Sequence, residues 1–175
     1  MSDLFEHVTS QQDPFKRLAS RLSGFSGYVE RQNRRAADQL LRETVARRFD
    51  ELHGRLSTLQ SALIDHGHLT LVDDMENAAL AMRTFIDKIR HASYGYSGLF
   101  NAVKINEAEL TKLYEFDNAF FDLAEDISRA LDHVEANLAD FEALPAAIRH
   151  LTSLARQAVE TFGRRNEVIL GTPLS

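Results

Sequence analysis

Apolar residues along this chain recur every three or four positions, the spacing that lays a single stripe down one side of a helix. Leu41, Val45, Phe49, Leu52, Leu56, Leu59 and Leu63 step by 4, 4, 3, 4, 3 and 4 residues. The pattern predicts one long helix over about residues 28–66. Gly54 costs it roughly 1 kcal/mol, too little to break the stripe, and Gly67 supplies a left-handed stop. Leu71, Met75, Ala78, Met82, Phe85, Ile89 and Ala92 form a second stripe, over about 70–92. Only a few residues separate the two, so they fold back as an antiparallel pair.

Asn106 and Glu109 match a capping pair of the N-x-x-E kind, which opens a third long helix running to about residue 142. Its stripe is Leu113, Asp117, Phe120, Ala124, Ile127, Leu131, Val134, Leu138 and Phe141. Leu144-Pro145 ends it, because the residue before proline is driven out of the helical region. A last helix follows with Ile148, Leu151, Leu154, Ala155, Ala158 and Phe162 inward, closing near Gly163. Upstream, Asp13-Pro14 reads as an N-cap followed by proline at the first helical position. Phe15, Leu18 and Leu22 then lie on one face of a short helix, with Lys16, Arg17 and Arg21 off it.

The expected fold is therefore all-α: an up-down-up-down four-helix bundle with coiled-coil-like seams, two long and two short helices, and a short N-terminal amphipathic helix. The expected organisation is a tail and short helix over 1–26, the bundle over 27–170 and a flexible tail over 171–175. At about 1.5 Å per residue the long pair would span roughly 55–60 Å and the short pair roughly 35 Å. The long pair would then overtop the short pair by on the order of 20 Å. That tip carries Leu40, Leu41, Leu110, Leu113, Tyr114 and Phe116. The N-terminal helix and the Tyr/Gly-rich stretch 93–105 are expected to cover it.

Composition narrows the chemistry. With 175 residues, 44% of them hydrophobic, the chain is long enough for one real core. It has no cysteine, which removes disulfides, thiol catalysis and thiolate metal sites. A net charge of −6 argues against generic nucleic-acid binding. Residues 1–7 lack the basic-then-apolar pattern of a secretory signal, and no run approaches the roughly 18 apolar residues of a membrane span. A cytoplasmic protein is expected.

Asp117 is the oddity, a carboxylate at a stripe position between Leu113 and Phe120. Buried, it must be paired, hydrogen-bonded or protonated. Counting rises from the shared turn end puts Asp117 and Arg42 at about the same height, roughly 37–39 Å. Tyr94, Tyr96 and Arg165 come near that level, so the five residues form the expected ligand- or partner-binding cluster. A buried pair that fixes register is the plainer reading of the same residues.

Other chemistries find less support. No Glu-x-x-His, His-Glu-x-x-His, Gly-x-Ser-x-Gly or phosphate-loop pattern occurs, so no catalytic residue, metal or cofactor is expected. The function that follows is a non-enzymatic helical-bundle interaction or scaffold protein. It would recognise a protein partner, or a second copy of itself as a homodimer, through charged and aromatic-arginine surfaces. Two alternatives stand beside it. One is a small-ligand sensor with a pocket near Asp117. The other is a stress protein on the membrane surface, inserting Phe15, Leu18 and Leu22 of residues 14–25.

Overall fold

Two of the helices begin where a side chain supplies a partner for orphan backbone groups. The computed structural model describes residues 13–31, 34–92 and 106–170. Among these residues it contains six helices and no strand. They are α1 (Pro14–Arg21), α2 (Phe25–Glu30), α3 (Arg34–Asp65), α4 (Leu69–His91), α5 (Glu107–Ala136) and α6 (Leu144–Leu170). Asp13 caps α1 by accepting the Phe15 amide at 3.0 Å. At α5, Asn106 accepts from the Glu109 amide, and the Glu109 carboxylate accepts from the Asn106 amide. Gly67, at φ +81°, makes the tight reversal between α3 and α4.

The predicted stripes are the core. Every stripe residue from Leu41 to Leu63 is buried, as are Met75 to Ile89, Leu113 to Val134 and Ile148 to Phe162 along theirs. One phenylalanine from each long helix meets at mid-height. Phe85 of α4 lies 4.4 Å from Phe49 of α3, 5.3 Å from Phe120 of α5 and 6.4 Å from Phe162 of α6, between ring centroids.

Helix α3 packs against α4 and α5, and α6 packs against the same two. Asp50 pairs with Arg90 while Gln60 bonds Glu76, so α3 and α4 run antiparallel. Asp38 and Asp117 meet at one level, and Arg55 reaches Asp132 at another, so α3 and α5 run parallel. The contacts thus favour pairing each helix of the first hairpin with one of the second, rather than α4 with α5.

Several boundaries differ from the sequence reading. The expected helix over 28–66 is two helices, α2 and α3. Residues 30–35 (Glu-Arg-Gln-Asn-Arg-Arg) contain nothing apolar to bury, and the stripe that could hold a helix to the core resumes only at Ala37. Helix α5 stops at Ala136, not 142. Asn137 bonds back to the His133 carbonyl, and the Asp140 carboxylate accepts the Glu142 and Ala143 amides, which organises a turn there. Leu138 is accordingly only half-buried and Phe141 is exposed. Helix α6 passes through Gly163, which is solvent-exposed, and runs on to Leu170 because Phe162, Arg165 and Ile169 extend its buried stripe.

The four long helices therefore have 32, 23, 30 and 27 residues. α3 and α5 are the longer pair and α4 and α6 the shorter, but they differ by only 3 to 9 residues, less than the expected lengths require.

The N-terminal helices do cover the upper part of α3 and α5. α1 packs on α5 and α2 on α3, with Leu18, Leu22 and Phe25 buried. Phe15, Phe25 and Tyr114 form a three-ring cluster with centroids 5.5–5.9 Å apart. Arg21 donates to Asp122 at 2.5 Å and to the Asn118 carbonyl at 2.9 Å, and Asn118 donates to the Pro14 carbonyl at 2.7 Å. The expected docking of stretch 93–105 lies outside the described residues, as do the tails 1–12 and 171–175.

Candidate functional site

The buried carboxylate at Asp117 organises the most polar part of the interior. The residue is 4% exposed, and Arg165 of α6 reaches it with Nε donating to Oδ1 at 2.5 Å. The same guanidinium donates through Nη2 to Oδ1 of Asp38 at 2.9 Å. Arg42 Nε then donates to the other Asp38 oxygen at 2.7 Å. Two arginines and two aspartates thus form a neutral chain, Arg42–Asp38–Arg165–Asp117, that ties α3, α5 and α6 together. Charge-assisted bonds of this kind are about twice as strong as neutral ones, though removal of the charges from water offsets much of the gain.

Of the residues expected to cluster, Asp117, Arg42 and Arg165 come together. Tyr94 and Tyr96 lie outside the described residues. Asp38 went unread in the sequence, although it sits three residues before Leu41 on the same stripe and four before Arg42, the spacing of a helix ion pair. Arg165 likewise follows Phe162 by three on the α6 stripe.

Burial pushes the Asp117 carboxyl up from 3.8 to about 6; the charge and hydrogen bond of Arg165 pull it back, and the nearby Asp38 adds to the rise. The folded-state value lies above the unfolded one, so the folded chain holds an extra proton between about pH 4 and pH 6. The penalty for burying this group is complete above that window, and it fades as pH falls through 6. The stability of the wild type relative to D117N, which cannot titrate there, is expected to rise between pH 7 and pH 5. Urea unfolding at the two pH values measures this, and parallel profiles for the two proteins would contradict it.

A cavity of about 40 Å³ adjoins this chain, walled by Phe25, Val29, Leu41, Leu110, Leu113 and Tyr114. That space suits water-sized molecules. Pockets for metabolites run to roughly 300–1,000 Å³.

Larger spaces lie outside, between helices. A groove of about 640 Å³ follows α4 and α6, and Arg149, Arg156 and Arg164 stand along its α6 wall. They recur at seven and eight residues, so they share one face. None of the three makes an ion pair or hydrogen bond among the described residues. Thr152, Ser153, Gln157 and Asn77 line the floor, with Asp74 and Glu160 the carboxylates present.

Phe15, Leu18 and Leu22, the residues expected to meet a membrane or a partner helix, pack instead on the protein's own core. No helix among the described residues is long and apolar enough to cross a membrane. Nor do three His, Asp or Glu side chains among them gather as a metal ion requires. Compared with known proteins, the chain matches no family model, no curated protein and no solved structure.

Proposed function

We propose that this protein is a non-enzymatic, cytoplasmic interaction module: an up-down-up-down helical bundle whose outer faces bind a protein partner. The observation that carries this reading is the contrast between interior and surface arginines. Arg42 and Arg165 are buried and paired with aspartates inside the bundle. Arg149, Arg156 and Arg164 stand along an open groove with donors to spare. Guanidinium groups are frequent energetic anchors at interfaces, because their planar fork matches a carboxylate in two bonds. The groove's length and its hydroxyl and amide floor suit an extended or helical acidic segment.

A photo-crosslinker at Ser153, an exposed residue lining the groove, tests the reading in cells that make the protein. A discrete cross-linked partner is expected, lost in the R149E/R156E/R164E variant. A strict monomer on sizing, with no cross-linked species in either protein, would overturn it.

The sensor reading draws on the buried ion chain, but the space beside it is an order of magnitude smaller than a metabolite needs. The membrane reading requires α1 to leave a site where Leu18 and Leu22 are already covered. Neither has an observation in its favour to match the open groove.

A further inference from the structure

At the end of the bundle where α3 turns into α4 and α5 into α6, large apolar side chains face water. Leu69 is 66% exposed, Phe141 68% and Ile64 52%. They belong to one structural unit. The buried His68 ring lies 4.2 Å from the Phe141 ring, and its Nε2–H donates to the Leu138 carbonyl at 2.7 Å, which fastens one turn to the other. Leu69 follows His68 directly, and Ile64 lies at the end of α3, just before the Gly67 reversal. Large apolar side chains gathered at one end and rimmed by polar residues mark interaction surfaces, whereas scattered single ones do not.

The two chain segments that form this end are acidic, with Arg149, beside Asp74 in the α6 groove, the next residue along. Residues 61–76 and 133–148 hold seven Asp or Glu and not one Lys or Arg. Those seven carboxylates exceed the chain's whole net charge of −6, so the rest of the molecule carries a formal +1. Asp65, Asp140 and Glu142, nearest the apolar residues, are all exposed. Such a field draws in a basic partner and repels an anionic one.

From this combination we infer that the turn end is a docking surface for a basic amphipathic helix of a partner protein, apolar anchors seated on Leu69 and Phe141 and Lys or Arg flanks on the surrounding carboxylates. It rests on the reading of this protein as an interaction module and adds a second surface with its own partner class. An anionic membrane is disfavoured by the same carboxylates. Helix-in-groove recognition reads apolar residues at helical spacing, and the flanking charges set speed of encounter and choice of partner.

The probe is an 18-residue Leu/Lys amphipathic peptide, with a Leu/Glu peptide of the same spacing as control, titrated by fluorescence anisotropy at 0.15 M salt. The Leu/Lys peptide is expected to bind the full chain, the Leu/Glu peptide not at all. L69S/F141S should weaken binding at least ten-fold. D65N/D140N/E142Q should weaken it and flatten its salt dependence. All five positions are exposed, and circular dichroism checks that the variants stay folded. Equal affinity for wild type and L69S/F141S would overturn the inference, because the peptide would then be binding to acidity in general. Binding to phosphatidylserine vesicles through this end, or a peptide-resistant dimer abolished by L69S/F141S, would overturn it too, by assigning another occupant. The outcome is separable from the groove experiment: a Ser153 cross-link that survives L69S/F141S leaves the interaction reading standing even if the peptide fails to bind.

Discussion

Arg165→Met is expected to cost this protein about 3–5 kcal/mol, the usual loss when one partner of a buried ion pair is removed. The side chain volume is nearly kept, so the loss comes from charge. Arg165 is the only group of the ion chain that bonds to both aspartates. Without it Asp38 still has Arg42 at 2.7 Å, but Asp117 loses the guanidinium that holds its anionic form inside the bundle. The carboxyl then rises further above about 6 and takes up a proton at neutral pH. Typical domains have only about 5–15 kcal/mol of total stability, so urea midpoints should fall by about a fifth or more. A loss under 1 kcal/mol would mean that water reaches Asp117.

Phe85→Ala is the second large effect, again about 3–5 kcal/mol. Phe85 is fully buried and lies against Phe49, Phe120 and Phe162, so its removal strips contacts from all three of the other long helices. The surrounding rings are themselves fixed by packing and cannot collapse freely into the space, which is what makes a cavity costly. Phe85→Leu keeps most of the volume and should lose markedly less. Thermal unfolding of the two variants gives the comparison. Equal losses would show that ring contacts, not filled volume, set the cost.

These effects divide along the line between what the sequence made legible and what it did not. Stripe positions are legible because burying a helix face requires one apolar residue per turn, and Leu41 to Leu63 or Met75 to Ile89 admit no other register. Caps are legible for a similar reason: Asp13-Pro14, Asn106 with Glu109, and Gly67 each solve a local hydrogen-bond or backbone problem. Asp117 stood out because a carboxylate on an apolar stripe is expensive.

Residues that work through tertiary context were harder. Asp38 sits beyond the start of the strong stripe, and its burial follows from α2 and α6 closing over it. The polar run 30–35 lies between stripes that can be joined into one, yet it holds nothing apolar to bury. Leu138 and Phe141 fall at stripe spacing, and only the Asp140 and Asn137 turn bonds take them out of the core. Gly163 looked like a stop, although a glycine with open space around it is tolerated when the stripe continues beyond it. The relative lengths of the helices depend on the last three of these places together.

A double-mutant cycle between Asp117 and Arg165 tests the central claim most directly: that the two buried charges exist for each other and leave recognition to the outer faces. Unfolding free energies of wild type, D117L, R165M and D117L/R165M are compared in urea at pH 7. The double variant is expected to be at least about 2 kcal/mol more stable than R165M alone, because no uncompensated carboxylate remains. If the two single losses simply add, Asp117 and Arg165 act independently, and the ion chain described here does not hold the helices together.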